Sequence, residues 1–268
     1  MNILVCVKQV PDTTEIKIDP VKNTLIREGV PSIVNPFDGY ALEAAARIKD
    51  ANPDTRIVVL SMGPEQAKVA LKECLSIAAD QAYLVTDRAF GGSDTLATSY
   101  ILSEAIKKVE EIEELKFDLI FCGKQAIDGD TAQVGPEIAE HLGYSQITYG
   151  LEAKIEGDKV IVNKEVEEGV QIVSSTLPCV VTYTKPAWDP RHPTIKRKMA
   201  ANKAEIPNIT AADLPTIELE RAGLKGSPTK VKKTFVPAQK TGGVKIQEEN
   251  AADSAKKLFS LMSDAGLV

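Results

Sequence analysis

The sequence predicts an α/β protein on a mostly parallel, doubly wound sheet, with an antiparallel extension and an extended C-terminal arm. Three observations predict it. Up to Leu142, short apolar runs of the kind buried on both faces alternate with helical patterns. Two of those runs open into polar, glycine-bearing loops that lead directly into helices. From Ile147 the pattern becomes that of hairpin-linked strands, and after Tyr183 sustained periodicity fades.

The elements follow in order. Ile3–Val7 is the first apolar run, and an insertion, Glu15–Arg27, alternates around Asp19-Pro20-Val21-Lys22-Asn23 as a hairpin would. Phe37–Lys49 carries apolar residues at Tyr40, Ala41, Ala44, Ala45 and Ile48, one face of a helix. Ile57–Leu60, Ala82–Val85 and Leu119–Cys122 are further buried strands, separated by helical patterns over Glu65–Ala78 and Asp94–Val109. Pro136–Leu142 is the next helix. Leu151–Ile155 and Lys159–Val162 flank Glu156-Gly157-Asp158 as a hairpin. Gln171–Ser174 and Cys179–Thr184 continue the strands, and the group reads as an antiparallel extension.

Three divisions result: 1–184 as the α/β domain, 185–247 as an extended arm, and 248–268 as a C-terminal helix. The arm holds Pro186, Pro190, Pro193, Pro207, Pro215, Pro228 and Pro237. Apolar residues still recur along it, among them Trp188, Ile195, Met199, Ile206, Leu219, Leu224, Phe235 and Val236. A structureless loop of this length is improbable inside a compact domain, so the arm is expected to pack on something else. Ala255, Leu258, Phe259 and Met262 then lie on one side of a helix suited to clasping a partner subunit.

The bulk properties narrow the function. A hydrophobic fraction of 43% supplies a proper core, and a net charge of −6 argues against general nucleic-acid binding, which needs a basic face. No apolar run approaches the ~20 residues that span a bilayer. The opening Met1-Asn2-Ile3-Leu4 lacks the basic segment of a secretory signal and reads as strand, which predicts a cytoplasmic protein. Cys6, Cys74, Cys122 and Cys179 form no CxxC pair, and with His141 and His192 they form no metal-ligand cluster.

The chemistry is expected in two strand-to-helix loops. The first runs Gly123-Lys124-Gln125-Ala126-Ile127-Asp128-Gly129-Asp130-Thr131-Ala132-Gln133-Val134. Free backbone N–H groups and a helix start make such a loop a nucleotide site in an open α/β sheet. Asp128 and Asp130 read as hydrogen-bond acceptors and turn formers rather than an acid–base pair. The second loop holds Gly91, Gly92, Ser93, Asp94, Thr95 and Thr98. There the glycines permit close backbone approach, and the threonine hydroxyls suit a phosphate. Ser93 or Asp94 could equally cap the helix. No nucleophile elbow, Walker loop or GxGxxG occurs, so no catalytic constellation is assigned.

Several ordered motifs together carry a resemblance. The 123–133 loop, Val5-Cys6-Val7-Lys8-Gln9-Val10-Pro11-Asp12, Asn35-Pro36-Phe37-Asp38 and Ser61-Met62-Gly63-Pro64 are similar to segments of the electron transfer flavoprotein β subunit. The resemblance implies a Rossmann-like, adenine-nucleotide-binding fold. It further implies that Cys6, Lys8, Asn35, Pro36, Phe37, Asp38 and Met62 line an adenylate pocket together with Gly123 to Val134. Both loops resemble the electron-bifurcating group, which implies FAD in this subunit, NADH as a transient substrate, and electron transfer to ferredoxin or flavodoxin. AMP in place of FAD is the alternative, as in family members that only shuttle electrons. An adenine-nucleotide hydrolase on the same fold is a second alternative. The implied partners are an α subunit and a flavin-dependent dehydrogenase. Ile195, Lys196, Arg197, Lys198 and Met199 match the family's docking loop for that dehydrogenase, with isoleucine where the family usually has leucine.

Overall fold

The computed structural model describes residues 1–12, 31–232 and 242–268, which fall into two units. Of the described residues, the first unit takes in 1–12 and 31–232, the second 242–268. The hairpin expected over 15–27 lies outside the described residues, as do Phe235, Val236 and Pro237.

In chain order the first unit contains β1 (Asn2–Cys6), β2 (Gln9–Pro11), β3 (Ser32–Val34), α1 (Pro36–Ala51), β4 (Arg56–Met62) and α2 (Lys68–Ile77). It continues with β5 (Gln81–Val85), α3 (Thr95–Ile112), β6 (Leu119–Gly123), α4 (Val134–Leu142) and β7 (Ser145–Glu156). Then come β8 (Lys159–Val166), β9 (Gly169–Thr176), β10 (Cys179–Tyr183), α5 (Ile195–Lys203) and β11 (Asn208–Ile209). Nine strands form one sheet in the order β11-β5-β4-β1-β6-β10-β7-β8-β9, while β2 and β3 pair separately.

Alternate residues of the central strands supply two apolar layers. Ile3, Val5, Ile57, Val59, Leu119 and Phe121 pack with Leu42, Ala45 and Ile48 of α1 and Leu71 and Cys74 of α2. Leu4, Val58, Leu60, Ile120 and Val180 pack with Ile101, Ala105 and Ile106 of α3 and Ile138 of α4. The sheet is therefore wound on both faces, which is why its strands read as unbroken apolar runs. The chain leaves β1 for β4 and β5 on one side, then returns to place β6 on the other. That reversal opens a crevice at the carboxyl ends of β1 and β6.

One strand differs from the expectation. Cys179–Thr184 was grouped with the antiparallel extension, but β10 lies between β6 and β7 and runs parallel to both. All five of its residues are buried. Only β7-β8-β9 is an antiparallel meander. Local alternation marks a strand without marking its neighbours, so the sequence pattern could not place β10.

Residues 185–232 belong to the first unit. β11 pairs parallel with β5, and Ile206, Ile209, Leu214 and Ala222 are buried in the two apolar layers. Arg191 fastens the start of this stretch to α1. Its Nε donates to Glu43 Oε2 at 2.8 Å and its Nη2 to Asp50 Oδ2 at 2.6 Å.

In the second unit, α6 (Ala251–Asp264) is capped by Asn250, whose Oδ1 accepts from Asp253 N at 2.9 Å. Leu258, Phe259 and Leu261 are exposed along it. Among the described residues, no helix is long and apolar enough to cross a membrane.

Candidate functional site

The site sits where the chain reverses across the sheet. Cys6 ends β1, Met62 ends β4 and Gly123 ends β6, and all three lie at the carboxyl edge. Cys6 and Cys122 are buried in the layer shared with α3 and α4. A hydrogen bond with the adjoining Cys6 side chain, and then burial, push the Cys122 thiol up, so it stays protonated. Its role here is packing.

Asn35 and Asp38 organise the crevice from the start of α1. Pro36 occupies the first turn, where its missing N–H costs nothing and its fixed φ suits a helix. Asn35 is fully buried and faces the loop after β6: its Nδ2 donates to Gln125 O at 2.8 Å, and its Oδ1 accepts from Ile127 N at 3.1 Å. Asp38, 6% exposed, accepts at Oδ2 from Lys8 N at 2.7 Å. Its Oδ1 accepts from Asn35 Nδ2 at 2.9 Å and from Gly123 N at 3.1 Å. Burial is the largest influence on Asp38 and pushes its carboxyl up to about 7, against the three hydrogen bonds that favour the ion. Phe37 packs edge-on to Tyr40, and Lys124 Nζ lies 5.9 Å from its ring centroid.

The loop itself is tightly turned. Ala126 O accepts from Gly129 N at 3.2 Å and Asp130 N at 2.8 Å. Asp130 and Ala132 have φ of 57° and 55°, a left-handed backbone that non-glycine residues adopt at some cost. Gln125 Nε2 donates to Asp130 Oδ1. Asp128 turns back across the crevice to Lys8, with Nζ to Oδ1 at 2.6 Å. Gly129, Thr131 and Gln133 are exposed. The loop ends at Val134, where α4 begins without a side-chain cap. Pro136 has no N–H and Glu137 N donates to Gln133 O at 3.0 Å, so the first-turn donors of α4 without an intrahelical acceptor are the N–H groups of Val134 and Gly135, at a helix start that carries partial positive charge.

The second loop is partly committed elsewhere. Asp94 caps α3 through Ala97 N at 3.1 Å, and its other oxygen accepts from Thr229 N at 3.0 Å and Thr229 Oγ1 at 2.8 Å. Ser93 Oγ donates to Phe90 O at 2.8 Å and accepts from Gly223 N at 3.1 Å. Gly92, at φ +75°, lies under Leu224. Gly91 ends the preceding turn, and Thr98 N bonds Asp94 O inside the first turn of α3. Thr95 is the residue of this loop that meets the first one, with Oγ1 3.1 Å from Gln133 Oε1.

Two residues near the crevice were missed by sequence reasoning. Gly135 is close-packed: a Cβ there would lie 2.5 Å from Thr182 Cγ2. Glu137, one turn into α4, holds one carboxylate oxygen 3.4 Å from Thr95 Oγ1, while the other is buried without a partner. Burial pushes its carboxyl up. A glycine within the long loop motif was the available signal for the first; for Glu137 there was none, since an acid in a first turn is ordinary.

On α5 the five residues of the expected docking segment separate. Ile195 is 81% exposed, and Lys196, Lys198 and Met199 are exposed beside it. Arg197 turns inward, its Nη2 donating to Leu75 O at 3.1 Å and Ala79 O at 2.8 Å at the C-terminus of α2.

The doubly wound sheet and its crevice define the class: an α/β protein of the Rossmann-like, adenine-nucleotide-binding kind. The electron transfer flavoprotein domain family matches residues 22–214. The electron transfer flavoprotein subunit beta of Megasphaera elsdenii is 56% identical over 253 residues, 93% of each chain. Subunit CarD of the caffeyl-CoA reductase-Etf complex of Acetobacterium woodii is 47% identical across the whole of both chains. Protein FixA of Azotobacter vinelandii is 44% identical over 94% of this chain and 90% of its own. The chain belongs to the electron transfer flavoprotein family, as a β subunit.

Proposed function

We propose that this β subunit pairs with an α subunit, binds FAD, and takes part in flavin-based electron bifurcation. Electrons would come from NADH and divide between ferredoxin or flavodoxin and a flavin-dependent dehydrogenase. The observation that carries the nucleotide reading is the uncapped start of α4 inside the crevice, reached by a loop that Asn35 fixes at two backbone positions. The residues fit a dinucleotide. The Val134 and Gly135 amides at the head of α4 suit its diphosphate, and the Lys8–Asp128 ion pair stands at the mouth. Likeness to a subunit of a caffeyl-CoA reductase-Etf complex supports the bifurcating assignment over a simple shuttle. Bound FAD supplies the redox chemistry, accepting a hydride equivalent and releasing its electrons singly. The protein's contribution is to hold the nucleotide, exclude water and present the exposed face of α5 to the dehydrogenase.

Two measurements test this. The purified αβ pair is expected to hold two FAD; one FAD and one AMP by acid extraction would replace bifurcation with the shuttle reading. Ile195→Ala is expected to slow reduction of the cognate dehydrogenase while leaving NADH oxidation with a dye acceptor intact. An apolar anchor ringed by charge is the usual form of a docking hot spot. Equal losses in both assays would remove the docking role.

A further inference from the structure

We infer that Asp38 is a positioning residue and not a ligand: it ties the segment after β1 to the end of β6 and so sets the loop that receives the nucleotide. The inference rests on the nucleotide reading above.

Both carboxylate oxygens face inward. Oδ2 is taken by Lys8 N and Oδ1 by Gly123 N and Asn35 Nδ2. The carboxylate thus joins the two chain segments that diverge at the crevice, and through Asn35 it reaches a third point. Asn35 Nδ2 is shared between Asp38 and Gln125 O, so the orientation of the Asn35 amide is set by Asp38. That orientation in turn presents Asn35 Oδ1 to Ile127 N. The path from Asp38 to the loop therefore runs through two side chains and ends on two backbone groups of the site.

Three donors converge on Asp38, and only the carboxylate accepts all of them without turning an O–H toward an N–H. A proton on Asp38 loosens the tie. Burial places that proton within reach near neutral pH. The other ionisable groups around Asp38 are Lys8, whose ammonium is turned to Asp128, Cys122 on β6 and Cys74 on α2. Burial pushes the Cys74 thiol up, and the hydrogen bond with Cys6 together with burial pushes up that of Cys122. Both stay neutral, leaving Asp38 as the group of this set that changes charge between pH 6 and 8. The site is therefore expected to tighten on its nucleotide as pH rises through about 7.

The test titrates the second equivalent of FAD into the αβ complex at pH 6, 7 and 8. FAD is the probe because its diphosphate has no proton to lose in this range, whereas a monophosphate titrates at about 6. For the native complex, affinity should fall about tenfold from pH 8 to pH 6, the limit for one required ionisation near 7. Asp38→Asn keeps the shape and one acceptor but cannot ionise. It should bind at pH 8 no more tightly than the native complex does at pH 6, with no pH slope. A structural role alone would shift affinity without removing the slope. An Asp38→Asn complex whose affinity changes with pH in parallel with the native one overturns the inference while the nucleotide reading stands. Should the variant not fold, the native series decides, and a flat profile overturns the inference. A native complex that takes up no second FAD at any pH overturns the flavin reading and the inference together.

Discussion

Replacing Gly123 by alanine adds a methyl group where the structure leaves no room. A Cβ on Gly123 would lie 2.2 Å from Asp38 Oδ1, 2.7 Å from Asp38 N and 2.7 Å from Phe37 C. Two of those atoms are backbone of α1, which is held by its apolar layer. The third belongs to a buried carboxylate bonded to Gly123 N itself. Neither side can give way alone, so the end of β6 must move from α1. Over-packing of this kind costs about 1–3 kcal/mol, and a lost bond to a charged group about 1.5–3 kcal/mol. One displacement produces both, so the expected total is about 3–4 kcal/mol, a drop of roughly 6–16 °C in Tm. Gly129, in the same loop, is the matched control: a Cβ there meets nothing within 4 Å. Gly129→Ala should stay within about 0.5 kcal/mol of native. Urea denaturation of the three full-length chains gives the comparison. If Gly123→Ala unfolds at the same midpoint as Gly129→Ala, the packing argument for the crevice is wrong.

Three further outcomes are expected. Asp128→Ala removes the partner of Lys8 and an acceptor at the mouth of the crevice, and should weaken FAD uptake by about 1–3 kcal/mol in a flavin titration; unchanged affinity would leave Asp128 a turn former. Arg191→Ala strands the buried Glu43 carboxylate and should cost about 2 kcal/mol by urea denaturation, less than the 3–5 kcal/mol of a fully buried pair because the Arg191 side chain is 34% exposed. A loss below about 0.5 kcal/mol would mean water replaces the guanidinium. Without nucleotide, stability should fall as pH rises from about 4 to about 7. Folded Asp38 keeps its proton up to about 7 whereas the ordinary value is 3.8, so the folded state holds more protons across that interval. Above it the slope from Asp38 vanishes, and Asp38→Asn should remove that contribution throughout; identical urea midpoints at every pH in native and variant would contradict the assignment.

Much of the fold was legible because both-face burial leaves a strong local mark. Ile3–Val7, Ile57–Leu60, Ala82–Val85 and Leu119–Cys122 each lie on a strand of the parallel core. The helix starting at Asp94 was equally readable, since a short acid before an apolar face is a cap. What escaped were facts about partners in space. Cys179–Thr184 looked like its antiparallel neighbours, and the two residues of β11 were too few to show a period. In the candidate site, the loop at 123–134 announced itself by composition, while the inward commitment of Asp38 did not. A carboxylate at a helix start reads the same whether it faces solvent, ligand or interior. Lys196, Arg197 and Lys198 look alike in sequence, yet only the guanidinium reaches the carbonyls at the end of α2.

The position of β10 bears on how the protein is made. The slot beside β6 is filled by residues translated after the whole β7-β8-β9 meander. A nascent chain that has emerged only as far as the meander has one edge of β6 open, and β7, paired with β8, has its other edge open. The first residue of the loop beyond β6 is also waiting, since Lys124 N bonds the carbonyl of Tyr183 at 2.7 Å. The loop after β6 therefore has its full set of backbone partners only once the chain includes Tyr183. Truncated products ending before that point would carry the entire loop motif and still present no finished cradle.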